Sequence, residues 1–153
     1  MQIISDLLDE NCVIMDIKAK RKAHVIRELI STLESAEKIE NSEYYVNEVL
    51  EREKLSSTGI GQGIALPHKL LPNIDQIHIV FGRKKKGVSF GAIDNKPVYL
   101  FFLILGPEGM HSEHLKLLSK LSRLLHDQTL IDSLMDATTP TEVINVIKLK
   151  ESS

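Results

Sequence analysis

Apolar residues recur at helical spacing in two stretches of the first third of the chain. The first stretch predicts an amphipathic helix over residues 18–37, and the second predicts a helix that ends at Arg52. Either Asn41 or Ser42 can cap the start of the second helix. The apolar stripe of the first helix is Val25, Ile26, Leu29, Ile30 and Leu33, and that of the second is Tyr45, Val46, Val49 and Leu50.

Strand patterns fill the middle of the chain. The segment "IALP" (64–67) is short and apolar, and "QIHIVFGR" (76–83) alternates apolar and other residues, as on a half-buried strand. The segment "GVSF" (87–90) is expected to pair as another short strand. The run "VYLFFLIL" (98–105) is apolar on both faces, which is typical of a central strand covered on both sides.

Helical patterns return after the strands. Ser112 is expected to cap one helix, and Asp127 is expected to cap a short second helix. Thr139 is expected to cap a third helix, which begins at Pro140 and has a glutamate three residues after the cap, as in a capping box. The apolar stripe of the first of these helices is Leu117, Leu118, Leu121, Leu124 and Leu125. This order predicts an α/β fold, a single domain with a mixed β-sheet sandwiched between helices.

Composition and charge narrow the class of protein. A chain of 153 residues suits one domain, and a net charge of −2 gives no strong field for gathering nucleic acid or anionic lipid. Cys12 sits in an apolar stretch and is expected to be a buried thiol. The N-terminus lacks the basic-then-apolar pattern of a signal peptide, and the longest apolar run is too short to span a membrane. We therefore expect a cytoplasmic protein.

Candidate chemistry begins at "GIGQGIALPHKL" (59–70), where His68 follows a glycine-rich loop and Pro67. Glycines let a backbone approach a ligand closely, and the proline restricts the residue before it to extended conformations. A neutral imidazole in this position is a competent nucleophile or base. The alternative is an ordinary surface histidine after a strand-ending proline.

Two further residues suit an anion near this histidine. If Ser112 caps its helix, His114 is the second helical residue and lies on the inward stripe, where free N–H groups favour an anion and a neutral imidazole. Arg52 is always charged and can hold an oxyanion by two hydrogen bonds. The alternatives are a packed histidine satisfied by backbone and a solvated arginine. Taken together with His68, these residues suit a phosphoryl group.

The stretch "REKLSSTGIGQGIALPH" (52–68) resembles the active-site motif of the type-2 enzyme IIA components of the phosphoenolpyruvate-dependent sugar phosphotransferase system. The segments "GVSFGAIDNKPVYLFFLILGPE" (87–108) and "HLKLLSKLSRLL" (114–125) resemble later blocks of the same family. The family is the mannitol/fructose class, which includes a nitrogen-regulatory branch. The likeness runs in order from about residue 4 to residue 147.

This resemblance implies roles for individual residues. His68 would become phosphorylated, His114 would bind the phosphoryl group, and Arg52 would help to hold its charge. The phosphoryl-site loop would consist of Ser57, Thr58, Gly61, Gln62, Gly63, Pro67 and Lys69. The resemblance also implies that residues 1–153 form one enzyme IIA phosphocarrier domain, with the family's mixed sheet and helices and with no metal or organic cofactor.

The resemblance implies protein partners as well. The donor would be the phosphohistidine of the phosphocarrier HPr or its nitrogen-branch paralogue, and the acceptor a cysteine on an enzyme IIB domain in sugar uptake. A regulatory module that passes nothing to a sugar, and whose phosphorylation state controls binding to regulatory proteins, is the alternative. No nucleic acid is expected, and contact with the membrane would be indirect, through a transporter.

Two residues depart from the family pattern. The residue after the histidine is usually small, and here it is Lys69, which could depress the basicity of His68, steady the phosphoryl charge or alter partner choice. Gln62 stands where some members carry an acid, and a neutral amide repels a phosphate less. Both departures bear on the choice of partner.

Two weaker signals point elsewhere. The run "RKKK" (83–86) is expected to be a solvated hairpin tip, since it lacks the interleaved aromatic residues of a nucleic-acid surface. His111 and His114 could both reach a metal on a helix, but zinc would require further ligands, which the nearby sequence does not supply.

Overall fold

The computed structural model describes residues 4–152. The helices are α1 (Ile4–Leu7), α2 (Lys22–Ser35), α3 (Ser42–Leu55), α4 (His111–Leu124), α5 (Gln128–Asp136) and α6 (Pro140–Glu151). The strands are β1 (Val13–Ile14), β2 (Gly59–Gly61), β3 (Ile64–Ala65), β4 (His68–Leu71), β5 (His78–Val88) and β6 (Val98–Pro107). The predicted α/β class, a mixed sheet between helices, is confirmed.

The sheet is built around β6. This strand pairs antiparallel with β5 on one side and parallel with β3 and β4 on the other, while β1 and β2 extend the two edges. Because β6 is covered on both faces, its residues from Val98 to Gly106 are buried with the exception of Tyr99, which is half-buried. The prediction of a central strand for "VYLFFLIL" is confirmed.

Helices cover both faces of the sheet, and each face has its own apolar core. Helices α2 and α3 pack on one face, where the predicted stripe of α2 is fully buried. Helices α1, α4, α5 and α6 pack on the other face. Cys12 lies buried in the first core, as its apolar surroundings in the sequence predict. No helix among residues 4–152 is long and apolar enough to cross a bilayer.

The predicted helix caps have mixed outcomes. Asp127 accepts a hydrogen bond from the Thr129 N–H, and Thr139 accepts one from Glu142. Neither predicted side-chain cap is found at the start of α3. The backbone of Asn41 has a left-handed conformation, and its side chain makes no capping hydrogen bond. The Ser42 N–H instead donates to the carboxylate of Glu34.

The prediction that Ser112 caps α4 is also wrong. Helix α4 already begins at His111, directly after a 3₁₀ turn (Glu108–Met110), and no side chain caps it. His114 is therefore the fourth residue of the helix rather than the second. It nevertheless lies on the buried face of α4, as predicted.

The basic run "RKKK" is not a hairpin tip, because it lies within β5. Its first residue, Arg83, is only 3% exposed and donates to the carbonyl of Met15 and to three carbonyls at the end of α5. Carbonyls in the last turn of a helix lack intrahelical partners, so one guanidinium satisfies several at once. Only Lys85 and Lys86 are exposed.

The prediction of a separate strand at "GVSF" is wrong as well. Gly87 and Val88 complete β5, and Ser89 and Phe90 begin the loop that leads to β6. Phe90 is 1% exposed, so its side chain anchors this loop in the core under α2 and α3.

Strands β3 and β4 are one extended segment interrupted at Leu66 and Pro67. Ile64 pairs with Leu100 and His68 with Ile104, so both strands keep the same register against β6. Pro67 has no N–H to donate, but its carbonyl accepts a hydrogen bond from Ile104 at 2.9 Å. His68 thus opens a strand, rather than following one into a loop.

We expect Arg83→Met to reduce the free energy of unfolding by about 2–4 kcal/mol, because it leaves buried carbonyls without donors. Chemical denaturation measures this loss. Lys85→Met, two residues along the same strand but exposed, is the matched control and should change stability by no more than about 0.5 kcal/mol. Equal effects of the two substitutions would contradict the role given to Arg83.

Candidate active site

The orientation of the His68 ring is set by the strand that carries it. Its Nδ1 lies 2.7 Å from the carbonyl oxygen of Leu66. A carbonyl only accepts hydrogen bonds, so Nδ1 carries the proton. In the neutral ring, Nε2 therefore carries the free lone pair.

Arg52, in the last turn of α3, faces that lone pair. Its Nη2 lies 3.5 Å from His68 Nε2, and its Nη1 donates to the carbonyl of Ser56 at 3.2 Å. A guanidinium only donates, so its position independently indicates an unprotonated Nε2. Both neighbours of the imidazole thus favour the same tautomer.

His114 lies beside His68 from the opposite helical layer. The two rings have centroids 5.4 Å apart and are tilted by 50°. His114 is only 3% exposed, and neither of its ring nitrogens has a hydrogen-bond partner in the described part of the chain. Buried polar groups are nearly always hydrogen-bonded, so this side chain retains a donor and an acceptor for a group that enters the site.

The electrostatics keep both imidazoles neutral. Burial is the main cause that lowers the pKa of His68 below its usual 6.5; Arg52 adds to this effect, while the Leu66 carbonyl and Glu53 oppose it. The pKa of His114 is lowered to about 4, first by burial and then by the neighbouring His68 and His111. The sequence predicts a neutral His114 from the helix dipole, but the main cause is burial.

The loop between α3 and β3 is tied to the end of α3. The Thr58 N–H and hydroxyl both donate to the carboxylate of Glu53, at 3.2 and 2.5 Å. Ser57 donates through its hydroxyl to the carbonyl of Phe90 at 3.0 Å and accepts from the Gly59 N–H. These two residues of the predicted phosphoryl-site loop therefore hold its backbone.

A tight turn joins β2 and β3. Gly61, Gln62 and Gly63 all have positive φ angles, of 94°, 59° and 81°. Glycine adopts such angles without strain, whereas Gln62 is stabilised there by its N–H, which donates to Asp94 at 3.1 Å. The side chain of Gln62 is exposed.

Lys69 lies on the other face of the strand from His68. Side chains alternate along a strand, and His68 pairs with Ile104 of the core under α4 whereas Lys69 pairs with Leu105 of the core under α2 and α3. Lys69 is half-buried. It is not among the groups that shift the pKa of His68.

The structure therefore brings His68, His114 and Arg52 together, from a strand and two helices. It places Ser57, Thr58 and the turn at Gly61–Gly63 in the adjoining loop, with Pro67 buried just before His68. Across residues 4–152, no group of three or more His, Cys, Asp and Glu side chains has the arrangement of a metal site.

Glu53 was missed in the sequence, although a signal was present. Val46, Val49 and Glu53 recur at positions i, i+3 and i+7, so Glu53 lies on the inner face of α3. A carboxylate on an apolar stripe indicates a buried ion pair, and its partner is Lys22 at 2.8 Å. Lys22 lies too far away in the sequence for any local pattern to predict this pairing.

Comparison with known proteins identifies the family of the chain. Residues 6–150 match the family model of the phosphoenolpyruvate-dependent sugar phosphotransferase system, EIIA 2. The chain is 37% identical over 144 residues to the fructose-specific EIIABC component of Bacillus subtilis, covering 94% of this chain and 23% of that one. It is 35% identical to a nitrogen regulatory protein of Bradyrhizobium diazoefficiens, covering 95% of both chains.

Solved structures give the same result. The crystal structure of the nitrogen regulatory protein IIA-Ntr from Neisseria meningitidis has a TM-score of 0.89 and 33% identity, and covers 94% of this chain and 98% of that chain. The crystal structure of the mannitol IIA of Escherichia coli has a TM-score of 0.77 and 27% identity, and the match covers 91% of this chain and 97% of that chain. The chain therefore belongs to the type-2 EIIA family of the phosphoenolpyruvate-dependent sugar phosphotransferase system.

We expect stability to fall as the pH drops from 6.5 to about 4, because the unfolded chain takes up a proton on His114 that the folded chain excludes. At about 1.36 kcal/mol per pKa unit, the loss amounts to at most about 3 kcal/mol. Burial also lowers the pKa of His68 and of His78, so both act in the same direction.

Denaturation by urea across this pH range measures the effect, and His114→Gln should flatten the pH dependence. His126→Gln, which replaces an exposed histidine, is the matched control. An unchanged pH dependence in His114→Gln would contradict the assignment.

Proposed function

We propose that the protein is a phosphocarrier that works through a phosphohistidine. His68 accepts a phosphoryl group from the phosphohistidine of HPr or its nitrogen-branch paralogue and passes it to an enzyme IIB domain in sugar uptake. The observation that carries this proposal is the Nε2 lone pair of His68, which faces Arg52 beside the unpartnered nitrogens of His114.

The transfer step requires no base at His68. The Nε2 lone pair attacks phosphorus, a new N–P bond forms, and the N–P bond of the donor breaks with its electron pair returning to the donor imidazole. His68 keeps its proton on Nδ1 throughout, and this N–H continues to donate to the Leu66 carbonyl. In the onward step, a cysteine thiolate of the acceptor forms an S–P bond while the electron pair returns to Nε2.

The surrounding groups suit the charge that arrives. A phosphoryl group brings nearly two negative charges, and the Arg52 guanidinium lies 3.5 Å from His68 Nε2. His114, neutral at pH 7, donates one ring N–H to a phosphoryl oxygen. Both donors are in place before the transfer, so little reorganisation is required.

Exposed apolar residues near the site support a protein partner. Of the large apolar side chains that are exposed in residues 4–152, four lie in segments that carry or adjoin the site: Leu55, Ile60, Ile93 and Leu115. The segment of Ile93 is joined to the loop by its N–H, which donates to the carbonyl of Gly59 at 3.1 Å. Side chains of this kind can contact a partner protein that docks at the site.

A complex formed by a related protein supports the choice of acceptor. A complex of the mannitol IIA and phosphorylated mannitol IIB of Escherichia coli includes a chain that matches this one with a TM-score of 0.76 at 25% identity. An enzyme IIB domain is therefore the acceptor that we propose. The whole chain would act as one IIA domain in the cytoplasm and reach the membrane only through a transporter.

A second candidate function is regulatory. The likeness to the nitrogen regulatory IIA-Ntr, with a TM-score of 0.89, exceeds that to the mannitol IIA, at 0.77. In this case the phosphorylation state of His68 controls binding to regulatory proteins, with no sugar transported. Capture of partners on the phosphorylated and unphosphorylated forms tests this function, and identical partners on both forms would contradict it.

Labelling tests the phosphocarrier function directly. With enzyme I, HPr or its paralogue, and labelled phosphoenolpyruvate, the wild type should take up one phosphoryl group and His68→Ala none. His126→Ala is the matched control, since His126 also donates through Nδ1 to a carbonyl, that of Ser122, but lies exposed and away from the site. A wild type that takes up no label, or labelling of His68→Ala, would refute the proposal.

Arg52→Gln should still accept label at His68, but about a hundredfold more slowly, because the charge at Nε2 is no longer offset. Rapid-quench measurement of the rate of phosphoryl uptake checks this. A rate equal to that of the wild type would exclude Arg52 from the transfer step.

A further inference from the structure

The last turn of α3 carries a buried carboxylate that the proposed transfer does not use. The side chain of Glu53 is 3% exposed, and a charge buried to this extent costs free energy unless it is paired. Lys22 of α2 pairs with it at 2.8 Å, and Thr58 donates two hydrogen bonds to it. Its hydrogen bonds to Thr58 connect α3 to the loop that leads to His68.

Lys22 is itself held in place. Its ammonium lies 4.4 Å from the centroid of the Phe90 ring and donates to the Phe90 carbonyl at 3.3 Å. That carbonyl also accepts the hydroxyl of Ser57. The ion pair is therefore built into a network that joins α2, α3 and the loop before β6.

From Thr58, the network continues to the imidazole. The Thr58 carbonyl accepts a hydrogen bond from the Leu66 N–H at 3.0 Å, and the Leu66 carbonyl accepts one from His68 Nδ1 at 2.7 Å. The bonds from Glu53 to Thr58, from Thr58 to Leu66 and from Leu66 to His68 follow one another without a gap. Arg52, which faces Nε2, is the neighbour of Glu53 in the same helical turn.

We infer that Glu53, paired with Lys22, is a positioning residue for phosphoryl transfer, a role that rests on the proposed function. It holds Thr58 and, through Leu66, the Nδ1–H of His68, and it fixes the separation between His68 and Arg52. Glu53 does not touch the phosphoryl group. Lys22 offsets its charge, so the carboxylate does not repel the incoming anion.

The hydroxyl of Thr58 offers the cleanest test. Thr58→Val keeps the shape of the side chain and removes the hydroxyl donor, whereas Thr58→Ser keeps the donor. We expect phosphoryl uptake from labelled HPr to slow about tenfold in Thr58→Val and to stay within about twofold of the wild type in Thr58→Ser.

A second readout separates positioning from mere stability. The ¹⁵N shifts of His68 report its tautomer and its pKa, and Thr58→Val should increase the Nε2–H population or shift the pKa. A loss of stability alone would leave the ring nitrogens of the folded protein unchanged. Thr58→Ser should show the shifts of the wild type.

The ion pair is tested by Glu53→Gln, which removes the negative charge at nearly constant shape. It should slow phosphoryl uptake about tenfold and change the His68 titration. Glu51→Gln is the matched control, since Glu51 lies in the same helix and also pairs with a lysine at 2.8 Å, but with both side chains exposed. We expect Glu51→Gln to behave as the wild type.

The outcomes distinguish this inference from the proposed function. If the wild type takes up no phosphoryl group, the proposed function fails. If the wild type is labelled and Thr58→Val and Glu53→Gln match it in both rate and His68 shifts, only the positioning role is overturned. If Thr58→Ser is as slow as Thr58→Val, the hydroxyl is not the group that matters and the inference is likewise overturned.

Discussion

The hydrogen bond from His68 Nδ1 to the Leu66 carbonyl, at 2.7 Å, is the interaction on which the site depends. It assigns the proton to one nitrogen and so leaves the other with a lone pair. It also orients the ring towards Arg52 and beside His114. Without this bond the imidazole could rotate or change tautomer, and the two groups around it would face no defined atom.

The site draws on three layers of the fold. The nucleophile comes from the sheet, the cation from α3 on one side, and the second imidazole from α4 on the other. The central strand β6 makes room for this arrangement at Gly106, where an added Cβ would lie 3.4 Å from His114 Nδ1. Because each layer has its own apolar core, the three groups are held by independent packing on both faces of the sheet.

Part of the fold and of the site could be predicted from the sequence, because it depends on the local spacing of residues. Local spacing indicates the apolar stripes of the helices, the central strand, and the position of a histidine close to a glycine-rich turn. The role of Arg83 could not be predicted in this way, because the carbonyls to which it donates belong to a helix some fifty residues further along the chain. The ion pair at the end of α3 could be predicted only in part. The spacing of residues in α3 places Glu53 on the inner face of the helix, but it does not indicate that Lys22 is its partner.

The tautomer of His68 was also beyond prediction, since it depends on where one carbonyl points. The start of α4 was mispredicted for a related reason. Ser112 is a favourable capping residue, yet the 3₁₀ turn before it already starts the helix at His111. The backbone path of that turn, and not the preference of one side chain, decides where the helix begins.

The strand that carries His68 lies at an outer edge of the sheet. Strand β4 pairs with β6 alone, so within residues 4–152 its other side has no strand neighbour. Unpaired strand edges can template aggregation with other chains, and natural proteins blunt them with proline and lysine. Lys69, whose charge resists desolvation, discourages a foreign strand from adding next to the nucleophile.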